Sequence, residues 1–390
     1  MLVAALLVAL GCYGVAAATR LRGYRMGGTI VLGLLVVMTL KSLVTLLVFL
    51  PAAIVAYHAL GWLERHTLIY GRDEFLAALL VGSAAPLALL GAIYATTEVL
   101  QTGLLRPLLV GSLLPGIAAF NHRRVRPEHR RRDITYALGL FAALFLLGLA
   151  LVGPWSRPLA GLAPPVLFSP TSDVAVLRGA AVPGYVAPPI APRPTVLAVF
   201  AVAAALSEGV RRRYGLRIGV VSLGLVALYT LADARLTALF VGVTAALFLV
   251  ARLLHRGRYL YGRALLGALA GTGVVFATLG VAASPIGRGL SGLFLGVLAG
   301  LAAYNLHVTP PAERRQLVAV AVGVFVPLLV VARAVVAPFP AGFPQRLTAL
   351  HVVLAFPLVV VCFIVGYHRH VAPPDDEAVR SASVLWGGES

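Results

Sequence analysis

The sequence is poor in charged residues and in cysteine. Asp, Glu, Lys and Arg make up 12% of the 390 residues, whereas 60% are hydrophobic. A water-soluble protein needs a more polar surface than this composition supplies. The two cysteines, Cys12 and Cys362, lie far apart in apolar stretches without CxxC spacing, which indicates packing and argues against a disulfide or a metal site. These deficits exclude a soluble globular protein and favour one embedded in a lipid bilayer.

The sequence also lacks the motifs of common enzyme classes. It has no Walker A loop, no HExxH, no paired cysteines and no GxSxG. Glycine patterns such as "YGRALLGALAG" lie in apolar stretches with no strand before them, so they do not predict a nucleotide loop. We therefore predict no catalytic residue, no metal and no cofactor. An intramembrane transferase is the least favoured alternative, because no acid/base pair is evident.

Long apolar stretches fill most of the chain. Windows of 18 or more residues with almost no charge recur, for example "LVAALLVALGCYGVAAAT" and "ITYALGLFAALFLLGLALVGPW", and this length suffices for a transmembrane helix. The first of them has no basic residues before it, so we expect it to stay as a helix. The pattern predicts an all-α polytopic membrane protein with about 13 transmembrane or re-entrant helices, near residues 2–19, 27–40, 42–63, 74–97, 104–121, 134–153, 194–210, 217–232, 236–254, 264–283, 288–306, 317–337 and 348–367.

Positive charge is in large excess, with a formal net charge of +18. The arginines lie in short loops between apolar spans and not on one soluble face, so membrane topology explains them better than nucleic-acid binding. With the loops placed alternately on two sides, about 22 of the 32 Lys and Arg residues fall on one side. The positive-inside rule then predicts a multi-pass protein of the cell membrane with its N-terminus outside and its C-terminus in the cytoplasm.

The two halves of the chain resemble each other. "TLIYGRDEFLAALLVGS" at residues 67–83 matches "RYLYGRALLGALAGTGV" at residues 258–274, and Tyr70 and Tyr261 are 191 positions apart. "SLLPGIAAFN" is matched by "GVLAGLAAYN" with a shorter offset of 184 positions between Asn121 and Asn305. We predict a tandem duplication of a six-span unit, and an even number of spans makes the two repeats parallel.

This repeat predicts five regions. They are a first membrane repeat at residues 1–155, a Pro-rich external linker at 156–192, a second membrane repeat at 193–339, an additional C-terminal transmembrane helix at 340–368 and a cytoplasmic tail at 369–390. The linker is rich in proline and has no periodicity, so we expect it to be extended and non-helical.

Two places in each repeat depart from a simple spanning helix. Residues 27–40 and 217–232 fall short of the roughly twenty residues that a crossing helix needs, and they either cross or re-enter. Residues 104–121 contain Pro115 and Gly116, which permit a break. Interrupted segments at matching places point to a buried site. A tilted or kinked helix packed through small residues is the alternative.

The repeated polar motifs provide the candidate binding residues. In Tyr-Gly-Arg, glycine can end a helix, tyrosine suits the headgroup level and arginine can reach lipid phosphate. The alternative is that the arginines bind an anionic substrate or a partner's carboxylates. The two asparagines either end a helix or act as polar ligands, and Glu208 is expected to pair with Arg211 or Arg212. The substrate- or partner-binding set is Tyr70, Gly71, Arg72, Pro115, Gly116, Asn121, Glu208, Tyr261, Gly262, Arg263 and Asn305.

These motifs together resemble a known family. "LIYGRDEFLAALLVG", "LLPGIAAFN", "YLYGRALLGALAG", "VLAGLAAYN" and "ALSEGVRRRYGLRIGVVSLG" are similar to the PgsC/CapC family, the small membrane subunit of poly-γ-glutamate synthase in capsule biosynthesis. Members usually contain one such unit, whereas this chain has two. Its second copy has Ala299 in place of Pro115.

The resemblance implies a membrane subunit that is not catalytic by itself. It would anchor a separate cytoplasmic ATP-dependent amide ligase of the Mur-ligase type and support polymerisation or passage of anionic polyglutamate, with further export subunits as possible partners. The alternative function is a secondary transporter of a small anion or metabolite built on parallel repeats. Acidic residues are scarce within the spans, which argues against coupling to protons or sodium.

Overall fold

The computed structural model describes residues 1–67, 72–96, 113–183, 187–216 and 218–367. Within these ranges every regular element is a helix, which confirms the all-α class. The first half contains α1 (Leu2–Arg22), α2 (Val31–Lys41), α3 (Val44–His66), α4 (Arg72–Thr96), α5 (Leu113–Arg123) and α6 (Pro127–Leu151). A 3-10 helix (Pro154–Gly161) and α7 (Asp173–Leu177) follow. The second half contains α8 (Arg193–Tyr214), α9 (Val220–Ala232), α10 (Ala234–Arg258), α11 (Gly262–Ala282), α12 (Gly289–Val308), α13 (Arg314–Val335) and α14 (Ala349–Tyr367).

Every predicted span overlaps one of these longer helices. Eight helices of the described ranges are long and apolar enough to cross a membrane, namely α1, α3, α6, α10, α11, α12, α13 and α14. The protein is therefore a multi-pass membrane protein, and the number of 13 spans stays a prediction.

Arginines gather at one end of the helix bundle. At this end α1 finishes with Arg20 and Arg22, α10 finishes with Arg256 and Arg258, and α11 begins with Gly262 and Arg263. We call it the basic end. The linker and the loop that follows α13 lie at the opposite end.

Corresponding helix pairs pack together in the two halves. In the first half α1 packs on α2, α2 on α6, and α3, α4 and α5 on one another; in the second half α8 packs on α9, α9 on α13, and α10, α11 and α12 on one another. Between the halves, α1 packs along α11, and α4 touches α8. Both halves thus have the same internal arrangement of helices.

Small residues allow these helices to approach closely. A Cβ atom on Gly82 would lie 2.5 Å from the Cα of Gly116, where α4 meets α5, and one on Gly296 would lie 2.6 Å from the carbonyl oxygen of Gly273, where α12 meets α11. Such contacts leave no room for a side chain, and they bring long lengths of backbone into van der Waals contact. The glycines therefore allow close packing of the two helices at both places.

The short segment at residues 27–40 crosses the bundle with a helix that is only about half as long as the hydrocarbon core is thick. α2 has 11 residues and so measures about 16 Å, against about 30 Å for the hydrocarbon core. Its last residue, Lys41, donates a hydrogen bond to the carbonyl of Val166 at 3.4 Å, and the amino group of Met1 donates to the nearby Pro164 at 3.0 Å. Because α2 ends beside the start of α1, the chain from Gly23 to Lys41 crosses from the basic end to the opposite end.

The matching segment of the second half also crosses. α9 has 13 residues. Its end is bound to the loop after α13, since the backbone N–H of Phe339 donates to Leu231 at 3.0 Å and that of Phe343 donates to Thr230 at 3.0 Å. The prediction of two short segments is confirmed, and both are crossing segments with a non-helical part at the basic end.

The linker is not extended and non-helical, so that expectation was wrong. It contains the 3-10 helix and α7, and its apolar residues Leu167, Phe168 and Ala175 are at most 1% exposed. These side chains belong to one hydrophobic cluster with residues from both halves, and the linker residues Pro164 and Val166 also lie against Gly289 at the start of α12. Burial of apolar surface folds a segment whose prolines and missing periodicity predicted an open chain.

Candidate functional site

Four of the predicted site residues cannot be placed in atomic detail. Tyr70 and Gly71 lie outside the described residues. Arg72 begins α4 and Glu208 lies within α8, but their side chains also lie outside the description. The expected pairing of Glu208 therefore stays a prediction.

Asn121 and Arg263, predicted separately in the two halves, are in contact. Nη1 of Arg263 at the start of α11 donates a hydrogen bond to Oδ1 of Asn121 at 3.1 Å. Nδ2 of Asn121 donates to the carbonyl of Ile117 at 2.8 Å and to that of Gly27 at 3.4 Å. The buried Asn121 side chain thus joins α5, the loop before α2 and the second half of the chain.

The loop that precedes α2 is shaped to fit under Asn121. Gly28 has φ of +122°, and a Cβ atom there would lie 2.9 Å from Nδ2 of Asn121. A buried carboxylate holds the same loop, because Oδ1 of Asp133 accepts hydrogen bonds from the backbone N–H groups of Arg25 at 2.7 Å and Met26 at 2.9 Å. Asp133 is 1% exposed. The carboxylate supplies the acceptor that a helical turn would otherwise provide.

Three arginines surround this junction. Arg25 and Arg124 lie close enough to Arg263 to repel its charge. Burial lowers the pKa of Arg25, the charge of Arg124 lowers it further, and Asp133 opposes both effects. Arg124 is paired with Glu74 of α4, with 2.6 Å between Nη2 and Oε2.

The cluster carries a net positive charge. The three guanidinium groups stand against the carboxylates of Asp133 and Glu74, the neighbouring Glu64 and Arg123 offset each other, and the Asn121 amide adds no charge. The arrangement is suited to holding an anionic group where the two halves meet. Within the described ranges, no group of three or more His, Cys, Asp or Glu side chains is placed to hold a metal ion.

The second-half asparagine has a similar position. A Cβ atom on Gly219, the residue before α9, would lie 3.6 Å from Nδ2 of Asn305. Gly219 and Asn305 therefore face each other as Gly28 and Asn121 do. Each asparagine lies beside the backbone that leads into a short crossing helix.

The glycine of the second Tyr-Gly-Arg motif has a different role from the one expected. Gly262 does adopt a left-handed conformation, with φ of +56°, but it opens α11 instead of ending a helix. The preceding helix ends at Arg258, and Tyr259 adopts the left-handed cap with φ of +51°. Tyr261 is 76% exposed, as a residue at the headgroup level would be.

Pro115 and Gly116 lie within α5, whose described part runs from Leu113 to Arg123. The chain before Leu113 lies outside the described residues. In the second half the predicted interruption is wrong, because Ala299 replaces the proline and α12 continues unbroken from Gly289 to Val308.

The sequence reasoning missed Arg25, Glu74, Arg124 and Asp133. A usable signal existed for Asp133, which is an acidic residue between the arginine run and a long apolar span. The carboxylate of such a residue is either hydrated or accepts hydrogen bonds from buried donors. The other three belong to basic or mixed stretches that a topology argument already explains.

Fold and site together define a multi-pass helical membrane protein with a positively charged junction between its halves. The family described as "Capsule biosynthesis CapC" matches residues 10–131, from within α1 to the first turns of α6. This match confirms the resemblance to the PgsC/CapC family over that stretch and supports a role in capsule synthesis. Searches of curated proteins and of solved structures gave no significant match.

Proposed function

We propose that the chain is an integral membrane subunit of a complex that makes and exports poly-γ-glutamate, a capsule-type polyanion. It anchors a cytoplasmic ATP-dependent amide ligase and supports polymerisation or passage of the polymer. The family match over residues 10–131 is the observation that carries this proposal.

The site supports the proposal because the positively charged junction is built from residues of both halves. The matched stretch contains Asn121, the Gly28 loop and Arg124, whereas Arg263 comes from the second half. A polyanion carries closely spaced carboxylates, and guanidinium groups bind carboxylates with two parallel hydrogen bonds. The basic end would draw such a polymer, or a partner rich in glutamate, by Coulomb attraction that weakens with salt.

We also propose that the two halves arose by tandem duplication, giving membrane repeats at 1–155 and 193–339. Corresponding helix pairs pack alike, and Gly28 faces Asn121 as Gly219 faces Asn305. Parallel repeats place both Tyr-Gly-Arg motifs at the basic end. Accessibility labelling of Cys introduced at positions 72 and 263 tests this, and labels on opposite sides of the membrane would contradict it.

The function is tested by purification and by polymer synthesis in membranes. We expect the tagged chain, extracted in mild detergent, to co-purify with an ATP-dependent amide ligase. Deleting the chain should abolish γ-linked polymer formed from glutamate and ATP, and Arg263→Ala should reduce it several-fold. Arg315→Ala removes the same charge from an exposed position at the basic end and serves as the control. Normal polymer in the deletion strain would refute the proposal.

The crossing segments favour one alternative, a secondary transporter. Two short helices, each preceded by a non-helical stretch beside Asn121 or Asn305, resemble the discontinuous helices that form transporter sites. The purified chain in proteoliposomes, without any partner, would then take up labelled glutamate. Uptake that is lost in Asn121→Ala, together with normal polymer synthesis in a deletion strain, would favour the transporter.

A further inference from the structure

A pocket opens at the basic end of the second half, away from the junction. It has a volume of about 190 Å³ and lies where α10 and α12 end and α13 begins. Its lining residues are Arg252, His255, Arg256, His307, Pro311 and Arg314. None of the six is acidic.

Beside this pocket an arginine side chain binds two backbone carbonyls, and the first half has the same pair of hydrogen bonds. We call this arrangement the frame. Arg314 donates from Nε to the carbonyl of Thr309 at 3.1 Å and from Nη2 to that of His307 at 3.3 Å. Arg130 of α6 makes the same two bonds, from Nε to Val125 at 3.2 Å and from Nη2 to Arg123 at 3.2 Å. His307 therefore occupies the position that Arg123 occupies in the first half.

The side chains within the two frames differ in charge. In the first half Arg123 forms an ion pair with Glu64, donating from Nε to Oε1 at 3.3 Å and making a closer contact between Nη2 and Oε2. In the second half the matching residues are His255 and His307, whose ring centroids are 5.1 Å apart. The first frame therefore contains an ion pair, and imidazoles stand at both matching positions of the second.

Arg252 adds a further positive charge to the second frame. Arg252 stands 191 positions after Gly61, so a guanidinium replaces a residue without a side chain. Arg252 and Arg314 both lie over the ring of Phe248, with Cζ at 6.0 Å and 5.1 Å from its centroid. Nδ1 of His307 is buried and has no hydrogen-bond partner among the described residues.

We propose that this pocket binds an oxyanion, the carboxylate or phosphate group of a ligand. Three arginines and two imidazoles converge there, and a bound oxyanion would offset their mutual repulsion and accept their hydrogen bonds. The cavity has room for such a group, because a water molecule takes up about 30 Å³ in the liquid. This inference rests on the pocket alone and does not require the function proposed above.

The test uses the full chain in nanodiscs of neutral lipid. Inorganic phosphate and free glutamate are titrated at constant ionic strength, with binding followed by calorimetry. The double variant His255→Glu with His307→Arg installs the first-half ion pair, and we expect it to weaken binding at least 10-fold. His129→Glu introduces a carboxylate at an exposed basic-end position outside the pocket and should leave binding unchanged.

Two further arms complete the test. Arg252→Gln with Arg256→Gln removes charge without disturbing the frame, so it replaces the double variant if that protein does not fold. Nanodiscs with anionic lipid distinguish the source of the ligand, since a lipid headgroup in the pocket would weaken phosphate binding in the wild type but not in the variant. Phosphate and glutamate binding that is absent, or equal in wild type and variants, would overturn the proposal.

Discussion

The basic ends of the two halves share a frame and differ in what the frame holds. Arg130 and Arg314 each tie the same two carbonyl positions together. Within that frame one half has the Glu64 to Arg123 ion pair, and the other has two imidazoles and an extra arginine. Main-chain acceptors survive any side-chain substitution, so the frame can stay constant while the charges inside it change.

The largest effect is expected where α4 meets α5. In Gly116→Ala the new methyl group would collide with the carbonyl of Ala78, which a rigid backbone cannot avoid. We expect a loss of about 3 kcal/mol in unfolding free energy from such overpacking. Gly300→Ala tests the matching position, where a Cβ atom would lie 2.7 Å from the Cα of Ala270.

Thermal unfolding in detergent measures both losses. Gly242→Ala is the control, because nothing lies within 4 Å of a Cβ atom there. A Gly116→Ala protein as stable as the control would show that the contact between α4 and α5 relaxes freely.

A second, smaller effect separates the loops before α2 and α9. Asp133→Ala leaves the N–H groups of Arg25 and Met26 without their buried acceptor, which should cost about 2 kcal/mol. The second half has the buried Leu317 at the matching position, in one hydrophobic cluster with Leu216 and Ile218 of the loop before α9, so apolar packing takes the place of the carboxylate there. Limited proteolysis at Arg25 reports the opening of the first loop, and equal cleavage in wild type and Asp133→Ala would contradict the assigned role.

The contact between the halves should be weaker than either of these. A double-mutant cycle on Asn121→Ala and Arg263→Ala should give a coupling energy of about 1 kcal/mol, as expected for one hydrogen bond to a charged group that is not fully buried. Unfolding in denaturant provides the four stabilities. A coupling energy of zero would mean that the two residues contribute independently.

The smallest effect concerns the ion pair that distinguishes the two frames. Glu64→His with Arg123→His converts the first-half pair into the second-half one. Because the Glu64 side chain is 37% exposed, we expect only about 0.5 kcal/mol of destabilisation. The ion-pair part of the loss should disappear at high salt, and the remainder belongs to the hydrogen bond from Nη1 of Arg123 to the carbonyl of Tyr57. A loss above about 2 kcal/mol at any salt concentration would show that the pair is a structural element.

The helices were predictable from the sequence because the length of each apolar stretch, which is a local property, predicts a spanning helix. For example, the predicted span 236–254 lies within α10, and the predicted span 264–283 ends one residue after α11. The contact between Asn121 and Arg263 was not predictable, since 142 positions separate the two residues and each had a sufficient local explanation. The linker was predicted wrongly because burial of Leu167 and Phe168 depends on neighbours far away in the sequence.

The seating of α1 against α11 has a consequence for how the protein is made. About 240 residues separate the end of α1 from the start of α11, so α1 leaves the ribosome long before its partner exists. Gly267 and Gly271 of α11 lie against the backbone carbonyls of Cys12 and Ala9. Until α11 arrives, this face of α1 is covered by lipid, and assembly is completed only when the late helix displaces that lipid.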